Sequence, residues 1–285
     1  MGSNLRLGAL FDVTGRWIAI TGAGSGIGSM LARGCAANGA NTILIDVNGT
    51  SLEETKAELE SLSIGSDVPS TEIVMFSGIK EVVVEIKLLR DSLGALMHCA
   101  AIRYMNEITY TPGEDLGKLE AAAISAPFQG WEHTFRLNVL APYFLTAGLI
   151  SLLGAAAAKR DGRGCVVLFS SPASVHNHQF VPCYQTSKAA VDHLVRIMAA
   201  EFADFYIRVN AISPGIVPSG MTTADANSNL HLAAETSAGR AGNEEDMVGT
   251  MLWLVSKAGA FMDGKVIRAE GGRLLILRGV TSNSD

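Results

Sequence analysis

The chain contains only four cysteines, Cys35, Cys99, Cys165 and Cys183. They stand far apart and show neither metal-ligand nor redox spacing, so they read as small apolar residues of a reducing compartment. Positive charge is also scarce: 22 Lys and Arg stand against 28 Asp and Glu, a net charge of −6, and no run of basic residues occurs. Nothing here could track a phosphate backbone, so nucleic acid is not expected as a partner. The first residues lack the long apolar core and small-residue cleavage site of a secretory signal, and a cytoplasmic location is expected. His176 and His178 form a His-x-His pair, but no carboxylate or cysteine is placed beside it, so no metal is expected.

One stretch, residues 137–158, carries no charge over a length that could span a bilayer. It contains Asn138, Pro142, Thr146 and Ser151 and is followed by Lys159 and Arg160. A helix buried on most sides within a soluble protein or oligomer fits that composition better than a membrane span.

What the chain does have is apolar residues, 48% of the total, arranged in short runs that alternate with helical patterns. Strands are expected at 17–20, 42–45, 72–76, 95–98, 165–169, 208–212 and 264–268. Helices are expected at 29–38, 51–62, 81–93 and 184–205. Strands alternating with helices imply a doubly wound α/β fold: a parallel sheet of about seven strands covered on both faces. No linker divides the sequence, so residues 1–285 read as one domain.

Between the first strand and first helix lies Thr21-Gly-Ala-Gly-Ser-Gly-Ile-Gly28. Gly22, Gly26 and Gly28 permit a tight turn and let the backbone approach a pyrophosphate resting on the helix N-terminus. Asp46, 24 residues after Gly22, closes the second strand. Its carboxylate can accept hydrogen bonds from an adenosine ribose and would repel a 2′-phosphate. Ser25 supplies no positive charge to offset that, so NAD(H) is favoured and NADP(H) is the alternative. A plainer role for Asp46 is to cap the turn at Asn48-Gly49.

Tyr184 is followed four residues later by Lys188 and preceded by Ser171 at thirteen. A free phenol has a pKa of about 10. Residues four apart share a helix face, so Lys188 can hold a positive charge near the phenol oxygen and favour the phenolate. Ser171 brings a second hydroxyl from the preceding strand. Two hydroxyls and an ammonium are what moving a proton on or off a carbonyl oxygen requires.

With these residues in order, the sequence resembles the short-chain dehydrogenase/reductase family along nearly its whole length. Thr21 to Gly28 is similar to the family's glycine motif, and Ser171, Tyr184 and Lys188 fall in its catalytic register. Asn138 matches its helix asparagine, and Pro214-Gly215 follows the sixth strand as in the family. Gly239-Arg-Ala-Gly242 and Glu270-Gly-Gly272 look like its C-terminal landmarks, and Pro218-Ser-Gly-Met221 points, more loosely, to a fungal member. The resemblance implies a Rossmann-type fold and hydride transfer at a nicotinamide. Tyr184 is then the acid or base, Ser171 the partner of the substrate oxygen, Lys188 the group holding the nicotinamide ribose, and Asn138 part of a water-borne proton relay. Cofactor contacts implied are Gly22, Ser25, Gly26, Ile27, Gly28, Asp46, Ala100, Tyr184, Lys188, Pro214, Gly215, Val217 and Ser219. A homodimer or homotetramer is expected, built on the 137–158 helix and the Tyr184 helix. Two motifs depart. His98-Cys-Ala-Ala101 stands where Asn-Asn-Ala-Gly is usual, placing a Cβ at Ala101, and Ser77-Gly78 replaces an aspartate that meets the adenine.

Segments 103–130 and 216–240 border the expected cleft and should set substrate choice, with residues 222–237 reading as a mobile lid. Few charges are expected near Tyr184, which implies a fairly apolar small molecule. His178 is a candidate substrate contact and His98 a packed residue. The expected activity is interconversion of a secondary alcohol and a ketone, within secondary metabolism. Two rival readings are the same pocket running imine or enone reduction, dehydration, epimerisation or cyclisation, and a non-catalytic nucleotide-binding protein.

Overall fold

Strands in the middle of this chain are continuous apolar runs because neither of their faces meets water. Every residue of β4 (Ala95–His98), β5 (Cys165–Phe169) and β6 (Arg208–Pro214) is buried. They belong to one parallel sheet with β1 (Trp17–Thr21), β2 (Asn41–Asp46), β3 (Thr71–Met75) and β7 (Val266–Ala269), in the order β3-β2-β1-β4-β5-β6-β7. The structure is a computed structural model that describes residues 4–62, 69–179, 181–222 and 230–277.

Ten α-helices accompany the strands among those residues: α1 (Leu7–Leu10), α2 (Gly26–Ala37), α3 (Gly49–Leu62), α4 (Ile79–Leu89), α5 (Leu116–Ile124), α6 (Phe128–Phe135), α7 (Ala141–Ala157), α8 (Pro182–Phe202), α9 (Glu244–Val255) and α10 (Arg273–Ile276). Successive strand residues point to opposite faces. Ala19, Leu96, Val166 and Leu168 therefore pack with Val82, Leu149 and Val195 of α4, α7 and α8. Ile18, Ile20, Met97 and Val167 pack with Leu31, Leu52 and Leu254 of α2, α3 and α9. This is the single doubly wound, Rossmann-type domain expected. Its chain reverses direction across the sheet between β1 and β4, and a crevice opens there at the carboxyl ends of the strands.

Several boundaries differ from the sequence expectation. The helix expected over 81–93 stops at Leu89, because Arg90 turns extended and lays its guanidinium 3.4 Å from the centre of the Trp17 ring. Segment 103–130 contains α5, whose first turn is capped by the Asp115 carboxylate accepting the Lys118 N–H at 3.1 Å. The uncharged stretch 137–158 is not buried on most sides within one chain. It enters through a π-helical turn, Arg136–Leu140, and then α7 buries Leu145, Leu149 and Leu153 while Leu140 and Phe144 remain 48% and 53% exposed. The helical run Phe128–Ala157 is long and apolar enough to cross a membrane by length and composition. Its buried face is spent on the sheet and α4. Of the expected lid at 222–237, residues 223–229 lie outside the described residues, and Leu230–Glu235 forms a 3-10 helix.

Candidate active site

The glycine loop packs so tightly that side chains would not fit. Gly22 has φ +69°, and a Cβ there would lie 2.8 Å from the Ala100 nitrogen. A Cβ on Gly28 would lie 2.1 Å from the Gly22 carbonyl oxygen. Bare backbone at the N-terminus of α2 thus borders the crevice, the arrangement in which helix N–H groups and the helix dipole receive a pyrophosphate. Asp46 accepts the N–H groups of Gly24 and Asn48, each at 3.1 Å. It caps its own turn and still borders the crevice, so the two roles read for it are compatible.

The crevice has a volume of about 660 Å³. Gly22, Ser25, Gly26, Ile27, Gly28 and Asp46 line one end of its wall. Ala100, Pro214, Gly215, Val217 and Ser219 also line it, as do Ser171, Tyr184 and Lys188. Of the expected catalytic and cofactor-contact residues, Asn138 is the one outside the lining. Its side chain is buried and grips the loop after β4: Oδ1 accepts the Ile102 N–H, Nδ2 donates to the Ile102 carbonyl, and Nδ2 also reaches the Ser187 hydroxyl at 3.1 Å. Its side chain holds that loop in place.

Tyr184 sits in the first turn of α8 and Ser171 just past β5, near enough for its hydroxyl to act on the phenol. Burial pushes the phenol up from its ordinary value, opposed by the Ser171 hydroxyl and by the charge of Arg103. This corrects the expectation of a phenol brought down by Lys188. The Lys188 ammonium lies 5.5 Å from the Tyr184 ring centre and donates to the Phe169 carbonyl at 2.7 Å. Burial pushes Lys188 down to about 8, and Asp192, one helical turn on, pulls the other way. Asp192 is itself held by the Ser170 hydroxyl, beside Ser171.

A second correction concerns charge. Few charges were expected near Tyr184, yet Arg103 and Arg273 both line the crevice with Lys188. Sequence reasoning missed both arginines, because only the fold brings residues 103 and 273 to position 184. His178 is exposed and outside the lining, where its neighbour Gln179 stands instead.

A family profile described as "Enoyl-(Acyl carrier protein) reductase" matches residues 22–273. The chain belongs to the short-chain dehydrogenase/reductase family. It is 32% identical over 281 residues to "Short-chain dehydrogenase/reductase PhomF" of the fungus Diaporthe leptostromiformis, covering 94% of each chain. It is 29% identical over 265 residues to a "Rhamnolipids biosynthesis 3-oxoacyl-[acyl-carrier-protein] reductase" of Pseudomonas aeruginosa, covering 92% of this chain and 97% of the other. Among solved structures, the "Pseudomonas aeruginosa RhlG/NADP active-site complex" superposes with a TM-score of 0.78 at 27% identity, covering 93% of this chain and 98% of that one. The protein is thus an NAD(P)-dependent dehydrogenase/reductase.

The departure at His98–Ala101 is accommodated locally. His98 is buried, pushed down to about 3 by that burial, and its Nε2 meets the Thr146 hydroxyl at 2.9 Å. A neutral imidazole here ties β4 to α7, as the packed residue expected. Among the described residues, Arg160 and Tyr206 alone combine a side chain with positive φ, so Ala101 carries its Cβ without backbone strain. Ser77 and Gly78 do not line the crevice.

Proposed function

We propose that this short-chain dehydrogenase/reductase interconverts a ketone and a secondary alcohol on a small molecule of secondary metabolism, working in the reductive direction at neutral pH. The observation that carries this reading is the buried phenol of Tyr184, which shares one crevice with the Ser171 hydroxyl, the Lys188 ammonium and the glycine loop. A phenol raised by burial keeps its proton at pH 7, and a protonated phenol is the donor that a carbonyl oxygen needs as it is reduced. Ser171 gives a second hydrogen bond to that oxygen and stabilises the charge developing there. Lys188, largely protonated at neutral pH, holds ribose hydroxyls and restores the electrostatic balance when the phenol has given up its proton. Asn138 fixes the loop bearing Ala100 and Arg103, so these groups keep their places.

A nicotinamide dinucleotide fits the residues present, since the close-packed glycines leave only backbone at the end of the crevice where α2 begins. It would be held by Gly22, Ser25, Gly26, Ile27, Gly28 and Asp46 at one end, and by Ala100, Tyr184, Lys188, Pro214, Gly215, Val217 and Ser219 at the other. It supplies the hydride. NAD(H) is favoured over NADP(H), because the Asp46 carboxylate stands at the end of β2, where a 2′-phosphate would meet like charge. The similar Pseudomonas structure is an NADP complex, so the preference rests on Asp46 alone.

The apolar lining residues Leu137, Val181 and Met221 suit an apolar substrate body, and segments 103–130 and 216–240 set its identity. The exposed face of Leu140, in the π-helical turn, and Phe144, on α7, forms with α8 the contact of a homodimer or homotetramer in the cytoplasm. The test of the activity is a panel of small ketones followed by the loss of reduced-nicotinamide absorbance. Consumption of NADH with formation of the secondary alcohol supports the reading. Absence of any nucleotide oxidation across the panel, with nucleotide bound, overturns it.

A further inference from the structure

Arg103 occupies a place that packing alone does not explain. Its backbone follows Ile102, which Asn138 grips from both sides. Its guanidinium reaches from the loop after β4 to the loop after β6, where Nη2 donates to the Met221 carbonyl at 3.2 Å. Met221 in turn packs against Ala173, Val181 and Tyr184. The guanidinium therefore stands over the mouth of the catalytic pocket, near enough for its charge to act on the phenol.

Arginine presents five N–H donors in a planar fork that matches a carboxylate. Among the described residues one carbonyl takes one of them, and none of the ion pairs includes Arg103. Arg273 lines the same crevice and makes a useful contrast. The charges of Glu235 and Glu270 act on it, and it already reaches the Leu232 carbonyl at 3.5 Å. Asp46, the carboxylate of the crevice lining, borders the glycine loop, remote from Tyr184 in the crevice. Among the described residues, the catalytic end thus presents a guanidinium with no carboxylate against it, beside the apolar Leu137, Val181 and Met221. A half-buried cation in that setting gains most from an anion that the visitor brings.

We propose that Arg103 determines substrate choice by binding a carboxylate placed close to the reacting carbonyl, so that the substrates are keto acids with an apolar body and the products the corresponding hydroxy acids. This deepens the ketone-reductase reading and rests on it. Arg103 acts on the substrate's acid group and leaves proton transfer to Tyr184.

The test uses the full chain, 2-oxo-4-phenylbutanoate and its neutral amide as probes, with dissociation constants measured by calorimetry in the presence of oxidised nucleotide, so that no turnover is needed. Wild-type protein is expected to bind the acid about tenfold or more tightly than the amide. Arg103→Gln, which keeps a donor for the Met221 carbonyl but no charge, is expected to erase that preference and leave amide binding within about twofold. Arg103→Lys should keep part of the preference. Equal binding of acid and amide by the wild type, no binding of the acid, or equal weakening of both probes in Arg103→Gln overturns the proposal, the last by reducing Arg103 to a strut between loops. A parallel turnover assay separates the two claims. Reduction of neutral ketones without acid preference overturns the role of Arg103 alone. Acid preference in binding without turnover of any ketone overturns the reductase reading alone.

Discussion

Asn138 holds Ile102 by both of its backbone groups, accepting from the N–H and donating to the carbonyl, each at 2.9 Å. One side chain from the π-helical turn before α7 thereby replaces a missing strand partner for the loop that carries Ala100 to Arg103 into the crevice. Removing it leaves two backbone groups without partners, and a buried polar group left unsatisfied costs about 1–3 kcal/mol. Asn138→Ala is expected to lower unfolding free energy by about that amount in urea titration, and to lower kcat through a misplaced loop. Unchanged stability and turnover would show that the loop holds itself.

Lys188 gives a pH signature of sign opposite to the usual ion-paired lysine. Its value is near 8 in the folded protein, against 10.5 ordinarily. Between those two values the unfolded chain binds the proton and the folded one does not, so stability contributed by this group rises with pH across that window. Below about pH 8 the folded protein carries the full cost of a buried charge, about 3 kcal/mol for such a shift. Lys188→Met, compared with wild type by urea unfolding, should have its largest relative stability advantage at pH 7, declining as pH approaches about 10.5. A difference independent of pH would contradict the buried ammonium.

Asp46→Ser removes the carboxylate at the end of β2 while keeping a hydroxyl to accept the Gly24 N–H. The ratio of kcat/KM for NADPH over NADH should rise by about tenfold or more, because repulsion of a 2′-phosphate is gone. An unchanged ratio would place cofactor discrimination elsewhere.

Phe144 is 53% exposed on α7, on the side away from the sheet. Phe144→Arg should leave the fold intact and shift the species seen by sedimentation velocity from dimer or tetramer to monomer. A variant that assembles like wild type removes this face from the interface.

The sheet was legible because its strands are short apolar runs between turn residues. The bounds of β4 and β5 coincide with the runs 95–98 and 165–169, and the glycine loop announced both its turn and the helix that follows. The α5 helix was not legible, since only Ala122 of it is buried and no apolar stripe marks its period. The end of α4 was misplaced because the residue that ends it, Arg90, is set by a ring on β1 rather than by its neighbours. In the site, spacing along one helix gave Tyr184 and Lys188, and the register with the preceding strand gave Ser171. Spacing could not give Arg103 above the phenol, or the two-ended grip of Asn138 on Ile102, because both depend on loops that meet only after the sheet has formed. Nor could it say that burial would raise the phenol.

The most direct measurement compares Tyr184→Phe with wild type in a single-turnover assay of ketone reduction, with NADH affinity determined separately by calorimetry. Removing the hydroxyl leaves the ring and its packing, so nucleotide affinity should stay within about twofold. The hydride-transfer rate should fall by about 10²–10⁴-fold, the range that a positioned acid contributes. Retention of the wild-type rate with nucleotide fully bound would contradict the assignment of Tyr184 as the proton donor.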